Sequence, residues 1–183
     1  FMIDNIFGHL IDPEDRLARA HEEQNGVKHL NRRSPLDPQP GQPIHLILTT
    51  GGPDPYDSAR CYWSADGTDP ASTSARVLDL QPARMDWNEL DWGYTQTWAV
   101  ELPPQPARTL IRYHLAARRA DQREWVFADN QAASADLATD FALWVDEDPP
   151  PAWARQALVY QVFLDRFFPG NGKTWKKVKG LGD

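Results

Sequence analysis

A chain of 183 residues with 41% hydrophobic side chains and eight tryptophans can build a real core, as one large domain or one domain with an appendage. Its net charge of −7 argues against nucleic acid, whose phosphates demand clustered Lys and Arg, and no apolar run approaches the roughly 18 residues that span a bilayer. The single cysteine, Cys61, excludes an internal disulfide and a Cys-based metal site, and reads as core filler.

The opening "FMIDNIFGHLIDPEDRL" lacks a basic leader and acquires acids early, unlike a secretory signal, so a cytoplasmic location is expected. "IDPEDRLARAHEEQNG" predicts a short helix. Asp12 caps it, Pro13 suits its first position, Glu14 and Asp15 favour its positive end, and Gly26 stops it. Its apolar stripe of Leu17, Ala18 and Ala20 is thin, which suits a surface position.

From there the period becomes two. Ile44, Leu46 and Leu48 share a face, as do Cys61 and Trp63 against Arg60 and Tyr62. Tyr94, Gln96, Trp98, Val100 and Leu102 oppose Thr95, Thr97, Ala99 and Glu101. Ile111, Tyr113, Leu115 and Ala117 oppose Arg112, His114 and Arg118, and "EWVFA" and "FALWV" are shorter members of the set. Such alternation marks strands with one buried and one wet face. Turn clusters such as "GGPDPYD", "ADGTDPASTS" and "ELPPQPAR" separate them. About seven short strands of this kind predict a mainly β fold, an antiparallel immunoglobulin-like β-sandwich. An acid-rich stretch then ends in "DEDPPP", where consecutive prolines make a stiff linker. The expected organisation is a helical segment over 1–26, a sandwich over 27–148, a linker over 149–152 and the start of another domain over 153–183.

Residues 1–150 carry no catalytic constellation and no metal set. His9, His21, His29, His45 and His114 are scattered, and His45 and His114 read as half-buried strand residues. No phosphate loop or G-x-S-x-G elbow occurs, and the pairs Glu22–Glu23 and Asp146–Glu147–Asp148 sit in polar runs. The sharp feature is "MDWNELDWGYTQTW". Trp98 belongs to the core by its alternation, and Trp63 and Trp125 are placed on strands as core residues. Trp87 and Trp92 flank an acidic loop segment. They pack beneath that loop or at a domain contact, or they stand out with Tyr94 as a platform for sugar rings. Trp87, Trp92 and Tyr94 are the candidate substrate-binding residues.

"ALVYQVFLDRFF" is an apolar run closed by an acid–base pair, the pattern of a strand buried on both faces. "VYQVFLDRF", preceded by "PPPAW", resembles the first barrel strand of the α-amylase family of glycoside hydrolases (family 13). Tyr160 and Gln161 match the strand's tyrosine–glutamine, and Asp165 and Arg166 its closing pair. "KGLGD" resembles the Gly-Asp before the first barrel helix. "RYHLAARRADQREWVFADNQ" resembles the last hairpin of the β-sandwich in cyclomaltodextrinase-, neopullulanase- and branching-enzyme-like members.

The resemblance implies an N-terminal auxiliary sandwich plus a stub of a (β/α)₈ barrel, which needs roughly 250 residues. The parent would be a retaining hydrolase or transglycosidase of α-glucans. Its catalytic carboxylates, about 5–5.5 Å apart, lie on later strands, so this piece is expected to be inactive. Some members bind calcium after this strand. Here "PGNGKTWKK" offers Asn171 among lysines where a hard cation wants about six to eight oxygens, so no cofactor is expected. The implied partners are an α-glucan or maltooligosaccharide and a second copy in a homodimer, with no nucleic acid or membrane. A non-binding structural spacer and a free-standing fibronectin-like module are the alternatives. Strand 158–164, cut from its neighbours, is expected to be unordered, to dock on a sheet edge or to pair with another copy.

Overall fold

The computed structural model of the chain describes residues 14, 18, 21, 25–52, 54–89, 92–148, 151, 153–154 and 157–159. The chain divides into two compact units, Phe1–Pro149 and Pro150–Asp183. In the first, Glu14, Ala18 and His21 have helical backbone, and the Asn25 amide bonds the His21 carbonyl at 3.0 Å. The remaining residues of the predicted helix before Asn25 lie outside the described residues. Gly26, expected as its stop, follows the bend at Asn25 and opens the first strand, at a φ of 80°.

The described strands are β1 (Gly26–Lys28), β2 (Arg33–Ser34), β3 (Ile44–Gly52), β4 (Ser58–Ser64), β5 (Arg76–Asp79), β6 (Gln81–Asn88), β7 (Gly93–Leu102), β8 (Thr109–Arg118), β9 (Val126–Phe127) and β10 (Phe141–Val145). They form two five-stranded antiparallel sheets. Sheet A has the order β1-β3-β7-β6 with β2 also on β3, and sheet B has β10-β8-β4-β5 with β9 also on β8. The mainly β class read from alternation is borne out, with more strands than the expected seven.

Alternation decides what is inside. Ile44, Leu46 and Leu48 of β3, and Trp98 and Leu102 of β7, meet Cys61 and Trp63 of β4 and Ile111, Tyr113 and Leu115 of β8 in one buried cluster. Leu143 and Val145 of β10 complete it. Cys61 is core filler as expected, and burial pushes its thiol far up, which leaves it inert.

His29 ties the two sheets together. It is buried just after β1, and its Nδ1 lies 2.7 Å from the Ile47 carbonyl of sheet A. Its Nε2 lies 2.9 Å from the Tyr113 hydroxyl of sheet B. A carbonyl only accepts, so Nδ1 carries the hydrogen and Nε2 accepts from the tyrosine. The loop after β9 reaches across to the same place. The Asp129 carboxylate accepts the His29 amide at 2.6 Å, and the Gln131 side-chain amide bonds both the N–H and the C=O of Val27, at 3.0 and 2.7 Å. Gln131 thus stands in for a strand beside β1.

Three expectations are corrected. Residues 81–88, absent from the expected strands, form β6, whose side chains are mostly exposed on both faces and so leave no alternation to read. His114 is buried rather than half-buried, because Phe127 packs edge-on to its ring at 6.0 Å and Asp140 lies 3.7 Å from its Nε2. Trp125 is not in the core: it precedes β9, half-buried, with the guanidinium groups of Arg60 and Arg118 at 4.8 and 5.0 Å from its ring.

In the second unit Trp153 and Ala154 have helical backbone and the Ala154 amide bonds the Pro151 carbonyl at 2.8 Å. Leu158 and Val159, read as the opening of a buried strand, are not in a strand and are 95% and 87% exposed. Tyr160, Gln161, Asp165, Arg166 and Asn171 lie outside the described residues. No helix among the described residues is long and apolar enough to cross a membrane.

Candidate functional site

The β6–β7 hairpin carries the three aromatics singled out in the sequence. Trp87 and Tyr94 are cross-strand partners, and Trp92 stands in the connection at a φ of 47°. Residues paired across a sheet point the same way. Tyr94 is also opposite Gly52 of β3, and Trp98 is opposite Leu48, so Trp87, Tyr94 and Trp98 share the core-facing side of sheet A. Only the Trp98 end is covered. There the indole is buried, with Nε1 donating to Thr50 Oγ1 at 2.9 Å. At the hairpin end Trp87, Trp92 and Tyr94 are 49%, 82% and 50% exposed. Tyr94 shares the side of Trp98, as the alternation of its strand reads, and is half exposed there.

The rings brace one another. Trp87 meets Tyr94 edge-on at 5.0 Å between centroids, and Trp92 at 6.3 Å and 90°. An edge-to-face contact covers one face of one ring and leaves the other faces of the pair free. Gly52, opposite Tyr94, has no side chain to fill the adjoining space. Met85, two residues before Trp87 on the same side of β6 and opposite Gln96, is 54% exposed and extends the apolar surface. The sequence reading omitted Met85. Its spacing of two from Trp87 is the available signal, but it requires knowing that residues 81–88 are a strand.

Among the described residues the rings' side of the hairpin strands carries no acid–base pair. Arg84 and Asp86 form an ion pair at 2.7 Å between alternating positions of β6, away from the rings' side. His45 is exposed on β3, 3.5 Å from Glu101. Among the described residues no three His, Cys, Asp or Glu side chains gather as a metal site. The arrangement offers an apolar, solvent-facing set of ring surfaces, which can hold a flat ligand face.

No protein-family model matches the chain. Alpha-amylase 2 of Dictyoglomus thermophilum is 20% identical over 171 residues, which is 90% of this chain and 25% of that protein. The α-amylase resemblance is borne out. This chain spans about a quarter of the length of that α-amylase. Two solved structures from Listeria monocytogenes also align. A cycloalternan-forming enzyme in complex with a pentasaccharide substrate is 17% identical with a TM-score of 0.45. An uncharacterized protein in complex with α- and β-D-glucose, magnesium and calcium is 18% identical with a TM-score of 0.44. Each alignment covers 66% of this chain and 10% of the other.

Proposed function

We propose that the two-sheet unit is an immunoglobulin-like N-terminal auxiliary domain of an enzyme acting on α-glucans, and that Trp87, Trp92 and Tyr94 hold glucan against it. The observation that carries this is the exposure of three mutually braced aromatic rings at the uncovered end of sheet A. The C–H faces of pyranose rings are apolar and flat, and exposed indole and phenol rings match them in shape and chemistry. A patch of this kind on a soluble surface marks a contact site. Likeness to an α-amylase over most of the chain supports glucan as the ligand class. Catalysis is assigned to parts of the enzyme beyond this chain.

Titration of the chain's tryptophan fluorescence with maltoheptaose tests the reading. A saturable change is expected, lost in Trp92→Ala and Trp87→Ala with the melting temperature of Trp92→Ala unchanged. A flat titration refutes sugar binding and leaves the unit as a spacer.

A further inference from the structure

Arg119 carries a charge on the inner side of the two-sheet unit. It follows β8 two positions after the buried Ala117, so it continues the row that Tyr113 and Leu115 send into the core. Its side chain is only 25% exposed. The guanidinium lies 4.8 Å from the ring centre of the buried Tyr56, a cation–π contact. Nε is buried without a hydrogen-bond partner, and Nη1 is 4.0 Å from Asp54 Oδ2, too far for a direct hydrogen bond. A guanidinium carries several N–H donors, and a face contact with a ring uses none of them. Withdrawing a cation from water for so few partners works against stability, which points to a use beyond folding.

This guanidinium stands beside the aromatic rings. Gly52 of β3 is the cross-strand partner of Tyr94, and the place a side chain would take at Gly52 has Arg119 Nη2 and Asn25 Oδ1 each 3.7 Å away. Gly52 is buried although it has no side chain of its own, with Arg119 and Asn25 over it. Cross-strand Cβ positions are about 4.5–5.5 Å apart, which puts Nη2 within roughly 9 Å of the Tyr94 Cβ. Across the uncovered end of sheet A the row therefore reads Trp87, Tyr94 and then the Arg119 guanidinium in place of a β3 side chain.

Asp54 joins the same surface. The 54–56 turn packs against Met85 and Tyr94 with a void of only about 10 Å3 between them. The Asp54 side chain is 73% exposed, so its carboxylate meets solvent at the margin of the rings.

We propose that Arg119 and Asp54 form the polar arm of the aromatic site. A glucose unit lying on Tyr94 presents adjacent hydroxyl groups at its edge. The Arg119 Nη1 and Nη2 groups donate to their oxygens, as a planar fork suits, and the Asp54 carboxylate accepts from one of their hydrogens. The proposal rests on the aromatic site described above and adds selectivity to it. Rings alone hold any flat apolar face, whereas the fork and the carboxylate select a face edged with neighbouring hydroxyls.

Isothermal titration calorimetry of the full 183-residue chain with maltoheptaose tests this, using wild type, Arg119→Lys, Asp54→Ala and Trp92→Ala, with the melting temperature of each measured alongside. Lysine keeps the charge and its contact with Tyr56 but has no fork. Arg119→Lys and Asp54→Ala are each expected to weaken maltoheptaose about tenfold, the loss of one hydrogen bond to a charged group, while the melting temperature of Asp54→Ala stays at the wild-type value. A purely structural role for the two residues would lower melting temperatures and leave the affinity of the folded chain unchanged. Full affinity in either polar variant, with loss in Trp92→Ala, overturns the arm and leaves the aromatic site standing. Weakening in both polar variants with full binding by Trp92→Ala supports the arm and overturns the role given to Trp92. Absence of binding in wild type overturns both. If Arg119→Lys does not fold, Asp54→Ala decides: tenfold weakening supports the arm and full affinity overturns it.

Discussion

Tyr113→Phe isolates the hydrogen bond that joins the sheets. The phenol and the imidazole of His29 are both fully buried, with 2.9 Å between the hydroxyl and Nε2. Because Nδ1 is committed to the Ile47 carbonyl at 2.7 Å, Nε2 must accept, and the Tyr113 hydroxyl is its donor. Phenylalanine keeps the ring and its stacking on Phe141 at 5.4 Å, so almost no packing is lost. What remains is a dry nitrogen lone pair without a partner, which costs about 1–3 kcal/mol. At about 2–4 °C per kcal/mol for a chain of this size, the melting temperature falls on the order of 5 °C. Urea unfolding followed by tryptophan fluorescence should show a lower midpoint at unchanged m-value. A double-mutant cycle with His29→Leu should return a coupling of about 0.5–3 kcal/mol. A Tyr113→Phe stability within about 0.5 kcal/mol of wild type, the range of an inconsequential surface change, would refute the bridge.

Burial also depresses the pKa of both His29 and His114 below the ordinary 6.5, against the opposing pull of Asp129 on the first and of Asp140 and Asp69 on the second. The unfolded chain then binds protons that the fold resists. Stability is full above about pH 6.5 and falls as pH drops towards the depressed values, by up to about 1.4 kcal/mol per pH unit for each histidine. Urea midpoints at pH 7.5 and 5.5 check this, and a midpoint that rises on acidification contradicts it. Gly26→Ala should destabilise by about 1–3 kcal/mol in the same assay, since φ is +80° and the new Cβ would collide with Gln131 Oε1, displacing the amide that pairs with Val27. Trp92→Ala should leave the urea midpoint within about 0.5 kcal/mol of wild type while abolishing the maltoheptaose response, because its ring is 82% exposed. A large loss of stability there would make Trp92 a structural residue.

The sequence made legible those strands that lie between water and the core. Ile44, Leu46 and Leu48 alternate because one face of β3 is covered, and the same holds for Cys61 and Trp63 and for Phe141, Leu143 and Val145. β6 was illegible for the converse reason, since neither of its faces is covered and nothing forces a period of two. β1, β2 and β9 are too short to show one. Trp87, Trp92 and Tyr94 were found together because a hairpin keeps sequence neighbours adjacent in space. His29 was passed over because its ring partners are 18 and 84 positions away.

The shift in register between Pro82 and Arg84 lies on β6, at the outer margin of sheet A. Proline cannot donate to an incoming backbone, the irregular step spoils the spacing of any would-be ladder, and the charged Arg84 and Asp86 follow at once. A second molecule therefore finds no template for adding its own strand there. The margin that borders the exposed aromatic rings is thus a poor seed for a growing sheet.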